Sequence, residues 1–230
     1  MRGIVLNQIN YRDNLDIVYL YSDERGRRTC LLNRRKRMRR LAPLSLIDFE
    51  SSGREKSEMQ HIKEYVFSPL LPDIAADARK SAIAMFSAEF LYKVLREEEA
   101  NPSLFLFLDA SVRILEFLAE GVANFHLHFM VQLAKHLGFS IPFNKAAGKY
   151  FDIKLCEFAR LKPPHPQFFD PENTRILAAL LDLSSDCLGE IKLSGSQRTA
   201  FANLMLNFYS FRFDHHINLK SADVLHEIFL

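Results

Sequence analysis

Apolar and polar positions alternate along the first 67 residues, which is the pattern of strands with one buried face. Val, Ile, Leu and Tyr dominate these segments, and turn-forming clusters lie at Ser22–Gly26 and Ser51–Glu55. The pattern predicts five strands, at residues 3–11, 15–22, 27–33, 43–50 and 56–67. Five short strands in a segment of this size are typical of a small closed barrel such as an OB-fold.

The period of the apolar positions changes after Pro69 and Pro72, and helical spacing dominates from there on. Residues 73–99 carry one apolar stripe, formed by Ile83, Phe86, Phe90, Leu91 and Val94. Further helices are predicted at 102–121, 124–138, 171–183, 195–211 and 221–229. The sequence therefore predicts an α+β protein, with a five-stranded OB-fold barrel at 1–70 and a helical domain at 71–230 that has an irregular insertion at about 145–170.

Composition adds a packed core and an uneven charge. Apolar residues make up 48% of the 230 residues, with 20 phenylalanines, which is ample for a core. The net charge of +2 hides an asymmetry, because residues 1–65 hold 14 Lys/Arg and 9 Asp/Glu whereas residues 66–230 hold 16 and 19. The basic character therefore belongs to the N-terminal segment.

The densest charge is a run of six cationic residues in seven positions, formed by Arg34, Arg35, Lys36, Arg37, Arg39 and Arg40. It joins the third and fourth predicted strands, at a rim where OB-folds take up oligonucleotides. Arginine suits phosphate because its planar fork offers paired donors. We predict nucleic-acid binding by this run, extended by Arg27, Arg28 and Arg2. A solvated loop, a nuclear-localisation-type peptide and a charged helix face are the alternatives.

The second predicted strand offers aromatic rings that are candidates for stacking on a base. Ile17, Tyr19 and Tyr21 share one face of it, and Val18 and Leu20 share the other. A tyrosine on an open face would stack on a base, which contributes about 1–3 kcal/mol. The favoured interpretation is that these tyrosines edge the barrel core.

Candidate catalytic residues are few. No nucleophile, zinc-protease or phosphate-loop motif occurs in the sequence. The triplet Asp214–His216 is similar to phosphoesterase metal motifs, but adjacent residues on a helix point about 100° apart, and a polar loop between helices is the favoured interpretation. His126, His128 and His136 lack the i, i+4 spacing that brings two imidazoles onto one ion. We predict a protein that is not an enzyme.

The three cysteines, Cys30, Cys156 and Cys187, are far apart in sequence and fit a reducing compartment. Cys156 and His165 share one segment, but two ligands do not complete a tetrahedral zinc site. We predict no metal and no cofactor. The chain opens directly into a predicted strand, and no apolar run approaches the roughly 18–20 residues of a membrane span. We expect a soluble cytosolic protein.

The helical half carries apolar segments at 103–108, 124–130 and 203–213, most of which we assign to its core. A groove left among them would take a short apolar or acidic peptide from a partner protein. Its rim would carry cations, with Lys135, Lys145, Lys149 and Arg198 as candidates.

Three segments in this order resemble the RecO family of bacterial recombination mediators. Residues 3–26 are similar to its opening, 33–50 to its basic connector with the following strand, and 125–142 to its central helix with the Leu-Gly-Phe end. The resemblance runs nearly end to end. It implies an OB-fold followed by a helical domain, and a role without catalysis.

The same resemblance implies partners. Proteins of this family bind single- and double-stranded DNA, engage the C-terminal tail of single-strand-binding protein, act with RecR so that RecA loads, and anneal strands. The DNA-contacting role of the basic connector maps onto Arg34 to Arg40. Two departures stand out: Asn33 replaces a Gly common in relatives, and residues 144–169 hold one cysteine and one histidine where many relatives have four zinc-binding cysteines.

The leading hypothesis is therefore a DNA-binding recombination mediator. A protein-interaction adaptor, whose basic loop binds an acidic protein, is the alternative. A phosphoesterase built on Asp214–His216 is the third.

Overall fold

The computed structural model describes residues 1–34, 41–52, 59–96, 99–139, 141–142 and 148–229. The chain divides into two compact units, Met1–Phe117 and Leu118–Leu230. The boundary predicted from the prolines, at residue 70, lies inside the first unit. Each unit has its own helices and its own sheet.

The first unit begins with a closed barrel. Its five strands are β1 (Arg2–Arg12), β2 (Leu15–Ser22), β3 (Gly26–Asn33), β4 (Leu46–Ser52) and β5 (Met59–Phe67). They follow one another around the barrel in the order β1-β2-β3-β5-β4. The pair β3–β5 is parallel, and the other pairs are antiparallel. This is an OB-like barrel, so the predicted fold class is confirmed.

Alternate strand positions fill the inside of the barrel, as the period of two requires. Its interior cluster contains Val5, Val18, Leu20, Cys30, Leu32, Leu41, Ile47, Phe49 and Ile62. Burial raises the pKa of the Cys30 thiol to about 11, even though the nearby charge of Arg28 acts in the opposite direction. Cys30 is therefore a protonated core side chain.

Three helices complete the first unit: α1 (Pro72–Ala76), α2 (Ala78–Val94) and α3 (Pro102–Phe117). The sequence predicts one helix over 73–99, but Asp77 is extended and divides it. The Asp77 carboxylate accepts the Arg79 backbone N–H at 2.8 Å and so caps α2. The buried Glu116 carboxylate accepts the N–H groups of Asp73 and Ile74, each at 2.9 Å, which joins α3 to the start of α1.

The second unit contains α4 (Phe125–His136), α5 (Pro171–Asp182), α6 (Gly195–Arg212) and α7 (Ser221–Ile228). Helix α4 ends at His136, and Gly138, the predicted stop, lies two residues beyond that end. The Phe139 N–H donates to the Ala134 carbonyl at 2.8 Å and the Gly138 N–H to the Lys135 carbonyl at 3.2 Å, with φ of Gly138 at +78°. Helix α6 begins with a capping box between Ser194 and Gln197.

The segment predicted to be irregular contains a three-stranded sheet, in which the first strand lies between the other two. Its strands are β6 (Tyr150–Asp152), β7 (Glu157–Ala159) and β8 (Phe168–Phe169). Strands of two or three residues are too short for alternation to be visible in the sequence.

Candidate nucleic-acid interface

The basic connector, residues 34–41, begins beside the hairpin that joins β1 and β2. The Arg34 backbone N–H donates to the Asn14 carbonyl at 2.9 Å. Six of the predicted site's positions lie here, and five of these, Arg35, Lys36, Arg37, Arg39 and Arg40, lie outside the described residues. The strands on either side of the connector fix where it starts and where it ends.

Arg34 is held by a buried carboxylate. Its Nε donates to Oδ1 of Asp16 at 2.5 Å, and the Asp16 side chain is fully buried, while that of Arg34 is 27% exposed. Oδ2 of Asp16 accepts from the Gln8 amide at 2.6 Å. Arg34 thus anchors the start of the connector to the barrel, and its charge is matched within the barrel.

The other end of the connector is anchored by an apolar side chain. Leu41 is 2% exposed and belongs to the interior cluster of the barrel. Beyond it, the Leu44 N–H donates to the Val5 carbonyl at 2.8 Å, and Leu44 has a φ of 60°. The cationic run therefore starts at an ion pair with a buried carboxylate and is followed by a buried leucine.

Arg27, which the sequence places in the interface, is used to join the barrel to a helix. Its Nη1 donates to the carbonyls of Tyr92 and Leu95, at 3.0 and 2.6 Å, at the end of α2. Its guanidinium lies 4.6 Å from the centroid of the Tyr92 ring. A cation at a helix C-terminus satisfies carbonyls that have no partner within the helix.

Arg28 and Arg2 lie on different surfaces of the barrel. Arg28 alternates with Arg27 and lies on the same face of β3 as Cys30. Arg2 is on the outside, where its side chain is 45% exposed, lies 3.5 Å from the Asp23 carboxylate and stacks over Phe105 at 5.1 Å. Of these two, Arg2 is the one exposed to a ligand.

The tyrosines of β2 lie on the outer face of the barrel, opposite the interior residues Val18 and Leu20. Tyr21 is 2% exposed, which agrees with the favoured interpretation that it edges the barrel core. The Tyr19 ring packs edge-on against Tyr92 of α2 at 4.8 Å. Burial raises the pKa of Tyr19 as well. Helix α2 thus covers this part of the face.

Part of the outer face, on β1 and β5, is exposed and was missed by the sequence interpretation. The ladders align Ile9, Ile17, Leu31 and His61 in one row across β1, β2, β3 and β5. Ile9 is 42% exposed, and the adjacent Tyr11 is 43% exposed. The guanidinium of Arg12 lies 5.0 Å from the Tyr11 centroid, and Lys63 is exposed on β5. The sequence signal is the apolar pair Ile9 and Tyr11 near the end of β1, where the ladder shifts register between Asn10 and Arg12.

The predicted histidine positions are structural. His126 is fully buried, and burial lowers its pKa to about 3, with a further contribution from the charge of Arg198. A nitrogen of His128 lies 3.0 Å from the Leu183 carbonyl, and burial lowers the pKa of His128. Among the described residues, no group of three or more His, Cys, Asp or Glu side chains is placed to hold a metal ion.

The residues Asp214–His216 lie between α6 and α7, so the interpretation as an inter-helix loop is confirmed. Nδ1 of His215 lies 3.2 Å from the Phe213 carbonyl. His165 contacts the Asp152 carboxylate at 3.1 Å. Cys156 interacts with Arg212, and burial raises the pKa of its thiol.

The cations assigned to a groove rim make local contacts. Lys135 donates to Gln132 at 2.8 Å, and Arg198 donates to the carbonyls of Leu193 and Phe229 at 2.6 and 3.1 Å. Lys149 is exposed, and Lys145 lies outside the described residues. Within the described part of the chain, no helix has the length and apolar character of a membrane span.

Fold and site together define a class of protein: an OB-like barrel with a dense cationic connector between its third and fourth strands, followed by helices. Family models carry the comparison further. The model described as Recombination protein O N terminal matches residues 1–68, and the one described as Recombination protein O C terminal matches residues 75–221. The chain belongs to the RecO family, which acts in recombinational DNA repair.

Individual relatives agree over nearly the whole chain. The chain is 33% identical over 234 residues to the DNA repair protein RecO of Phocaeicola vulgatus, covering 99% of this chain and 97% of that one. It is 33% identical over 236 residues to that of Bacteroides fragilis, with the same coverage. It is 30% identical over 236 residues to that of Azobacteroides pseudotrichonymphae, covering 99% and 98%.

Proposed function

We propose that this chain is a DNA-binding recombination mediator that works without catalysis. It binds single- and double-stranded DNA and the C-terminal tail of single-strand-binding protein. With RecR it enables RecA to load, and it anneals complementary strands. Membership of a family of DNA repair proteins supports the role in repair, and the anchored cationic connector on the barrel supports the DNA contact.

The proposed DNA interface is the connector together with the exposed part of the barrel around it. Arg35, Lys36, Arg37, Arg39 and Arg40 supply the charge. Because Arg34 is paired with a buried Asp16, it positions the run and adds little net charge. Arg27 is left out, since two carbonyls occupy its donors. Arg28, on the same face of β3 as the buried Cys30, is left out as well, and the exposed Arg2 is kept.

Three residues extend this interface beyond the sequence prediction. Arg12 and Lys63 are exposed on β1 and β5, and Tyr11 offers an exposed ring beside Arg12. Cations that track a backbone, combined with a ring on which bases stack, form the usual surface for single strands. Binding of this kind depends little on base sequence, because phosphate contacts carry the affinity.

Fluorescence anisotropy of a labelled single-stranded oligonucleotide at several salt concentrations tests the DNA contact. Each phosphate neutralised on a single strand contributes about 0.7 to the slope of log K against log salt, so four or five contacts give a slope of about −3. Replacing Arg35, Arg37 and Arg39 together by Ala should reduce its magnitude by about 2. A matched variant loses three exposed cations of the second unit, Arg175, Lys192 and Lys220, and should keep the wild-type slope. Equal slopes for the two variants would refute the connector as the contact.

The protein partners require separate tests. A peptide with the C-terminal sequence of single-strand-binding protein should bind the full chain, and the same peptide with an amidated C-terminus should bind more weakly. RecR should co-elute with the chain in gel filtration. Binding of an acidic protein at physiological salt, without binding of the oligonucleotide, would instead favour the adaptor.

Two further parts of the proposal concern chemistry and place. The oligonucleotide should keep its length when incubated with the protein and manganese, and shortening that depends on Asp214–His216 would favour the phosphoesterase. We place the protein in the cytoplasm, at the nucleoid, which imaging of a fluorescent fusion tests.

A further inference from the structure

The small sheet of the second unit has one face packed into the unit's core. The Phe151 side chain is completely buried, with its ring centroid 5.6 Å from that of Phe169 and 5.3 Å from that of Phe158. Phe169 in turn lies 5.8 Å from Phe201 of α6. These rings supply the apolar contacts that hold the sheet in place.

The opposite face carries two more aromatic rings. Strand alternation places Tyr150 and Phe168 on the face away from Phe151, and both are half-buried. Their ring centroids lie 5.7 Å apart with an interplanar angle of 78°. In this edge-to-face arrangement, Phe168 supports the Tyr150 ring and leaves part of it exposed to solvent.

The carboxylate next to these rings makes its hydrogen bonds within its own segment. Oδ2 of Asp152 contacts the His165 ring at 3.1 Å, and Oδ1 accepts the N–H groups of Lys154 and Leu155 at 2.8 and 3.0 Å. The Asp152 side chain is only 6% exposed. Glu157 is then the one exposed carboxylate on residues 148–169, all of which the structure describes.

One cation contacts the ring pair, and two more flank it at the same end of the sheet. Nζ of Lys162 lies 5.5 Å from the Phe168 centroid. Lys149 immediately precedes Tyr150, and Arg160 immediately follows Ala159, the ladder partner of Tyr150. All three are exposed. Residues 148–169 hold four Lys/Arg and two Asp/Glu, whereas residues 66–230 as a whole hold 16 and 19, so positive charge is concentrated on this sheet.

We propose that this aromatic–cation surface, formed by Tyr150, Phe168, Lys149, Arg160 and Lys162, binds single-stranded nucleic acid. Tyr150 stacks on an unpaired base, and the three cations contact the flanking phosphates. A base offers a flat π-face that stacks on an aromatic ring, whereas an acidic side chain offers none. The surface lies on a different unit from the connector, so a chain with both sites holds two segments of strand at once. This inference rests on the proposed function, because the polyanion that the surface binds is DNA.

A crosslinking experiment on the unmodified full-length protein locates the contact. Single-stranded DNA containing 5-bromodeoxyuridine is irradiated with the protein, and the crosslinked peptides are identified by mass spectrometry. We expect crosslinks in the peptide that contains Tyr150, in addition to peptides of the barrel. Crosslinks confined to the barrel would overturn the proposal.

Variants then test the chemistry. Tyr150→Ala should weaken oligonucleotide binding about tenfold, and Tyr150→Phe, which keeps the ring, should restore it. These three contacts add about 2 to the magnitude of the slope that the connector contributes, and replacing Lys149, Arg160 and Lys162 together by Ala should remove that addition. The matched triple variant at Arg175, Lys192 and Lys220 should leave the slope unchanged. Circular dichroism establishes that each variant is folded.

The outcomes separate this surface from the connector. The connector variant at Arg35, Arg37 and Arg39 should retain crosslinks to the Tyr150 peptide, because the second surface is intact. If wild type binds DNA through the barrel alone, this inference fails while the proposed function stands. If wild type binds no DNA, both fail. Capture of an acidic peptide by the surface, in place of DNA, would also overturn the inference.

Discussion

The guanidinium of Arg34 is paired with the fully buried carboxylate of Asp16, at the residue where the cationic connector leaves the barrel. Arg34, the first residue of the cationic run, therefore stabilises the fold. Replacing Asp16 by Asn should lower the free energy of unfolding by about 2 kcal/mol, because it removes a charge-assisted hydrogen bond at a buried site. Chemical denaturation measures this.

The matched control is Asp23→Asn. Asp23 is 25% exposed and lies 3.5 Å from Arg2, so its loss should cost less than about 1 kcal/mol. Equal effects of the two substitutions would contradict an anchoring role for Asp16.

Arg27 and Arg12 should separate stability from DNA binding. Arg27→Ala removes two hydrogen bonds to carbonyls and the contact with the Tyr92 ring, and should destabilise the protein by about 2–3 kcal/mol while leaving the salt slope unchanged. Arg12→Ala, at an exposed site, should change stability by less than about 0.5 kcal/mol and reduce the slope by about 0.7. Thermal melts and anisotropy titrations of the two variants check both halves.

Two glycines with positive φ should respond differently to the same substitution. At Gly138 an added Cβ meets nothing within 4 Å, so Gly138→Ala should cost only about 1 kcal/mol for the left-handed backbone. At Gly121 it would lie 2.3 Å from the Leu188 backbone carbon, and the cost should exceed about 3 kcal/mol. Melting temperatures of the pair are the measurement, and similar values would contradict the close packing at Gly121.

Burial of His126 predicts an acid sensitivity. Its pKa is lowered from 6.5 to about 3 in the folded protein, so the unfolded chain binds the proton more readily. The stability is fully present above pH 6.5 and is lost as the pH falls through the range from 6.5 towards 3. At pH 5 this group alone should cost about 2 kcal/mol relative to pH 8.

Unfolding free energies of the wild type and of His126→Gln between pH 8 and 5 test this prediction. The variant should show the flatter pH dependence. The control is His216→Gln at an exposed position, which should follow the wild-type curve. If the unfolding free energy of the His126 variant depended on pH as steeply as that of the wild type, this histidine would be excluded as the cause.

The sequence predicted what depends on local patterns. Period-two alternation placed the five barrel strands, and Gly138 placed the end of α4 to within two residues. The parallel pairing of β3 with β5 carries no such local signal, because the two strands are separated by β4 and two connections.

Which cations are used within the fold depends on contacts between distant residues. Arg27 bonds to carbonyls 65 and 68 positions away, and Arg34 to a carboxylate 18 positions away. From sequence, both are members of a basic cluster, and only the folded chain separates those that hold the fold from those exposed to a ligand. Tyr150 and Phe168 could not be identified from the sequence for a different reason. Their strands are two or three residues long, which is too short for alternation to be visible.

In the strand order β3-β5-β4, β5 lies between β3 and β4, so the chain between Asn33 and Leu46 connects two strands that are not neighbours. Its length is then set by topology, and its two ends by Asp16 and the hydrophobic interior. Under the proposed function, exchange of single arginines between these two anchors should change the affinity for DNA and leave both anchors in place.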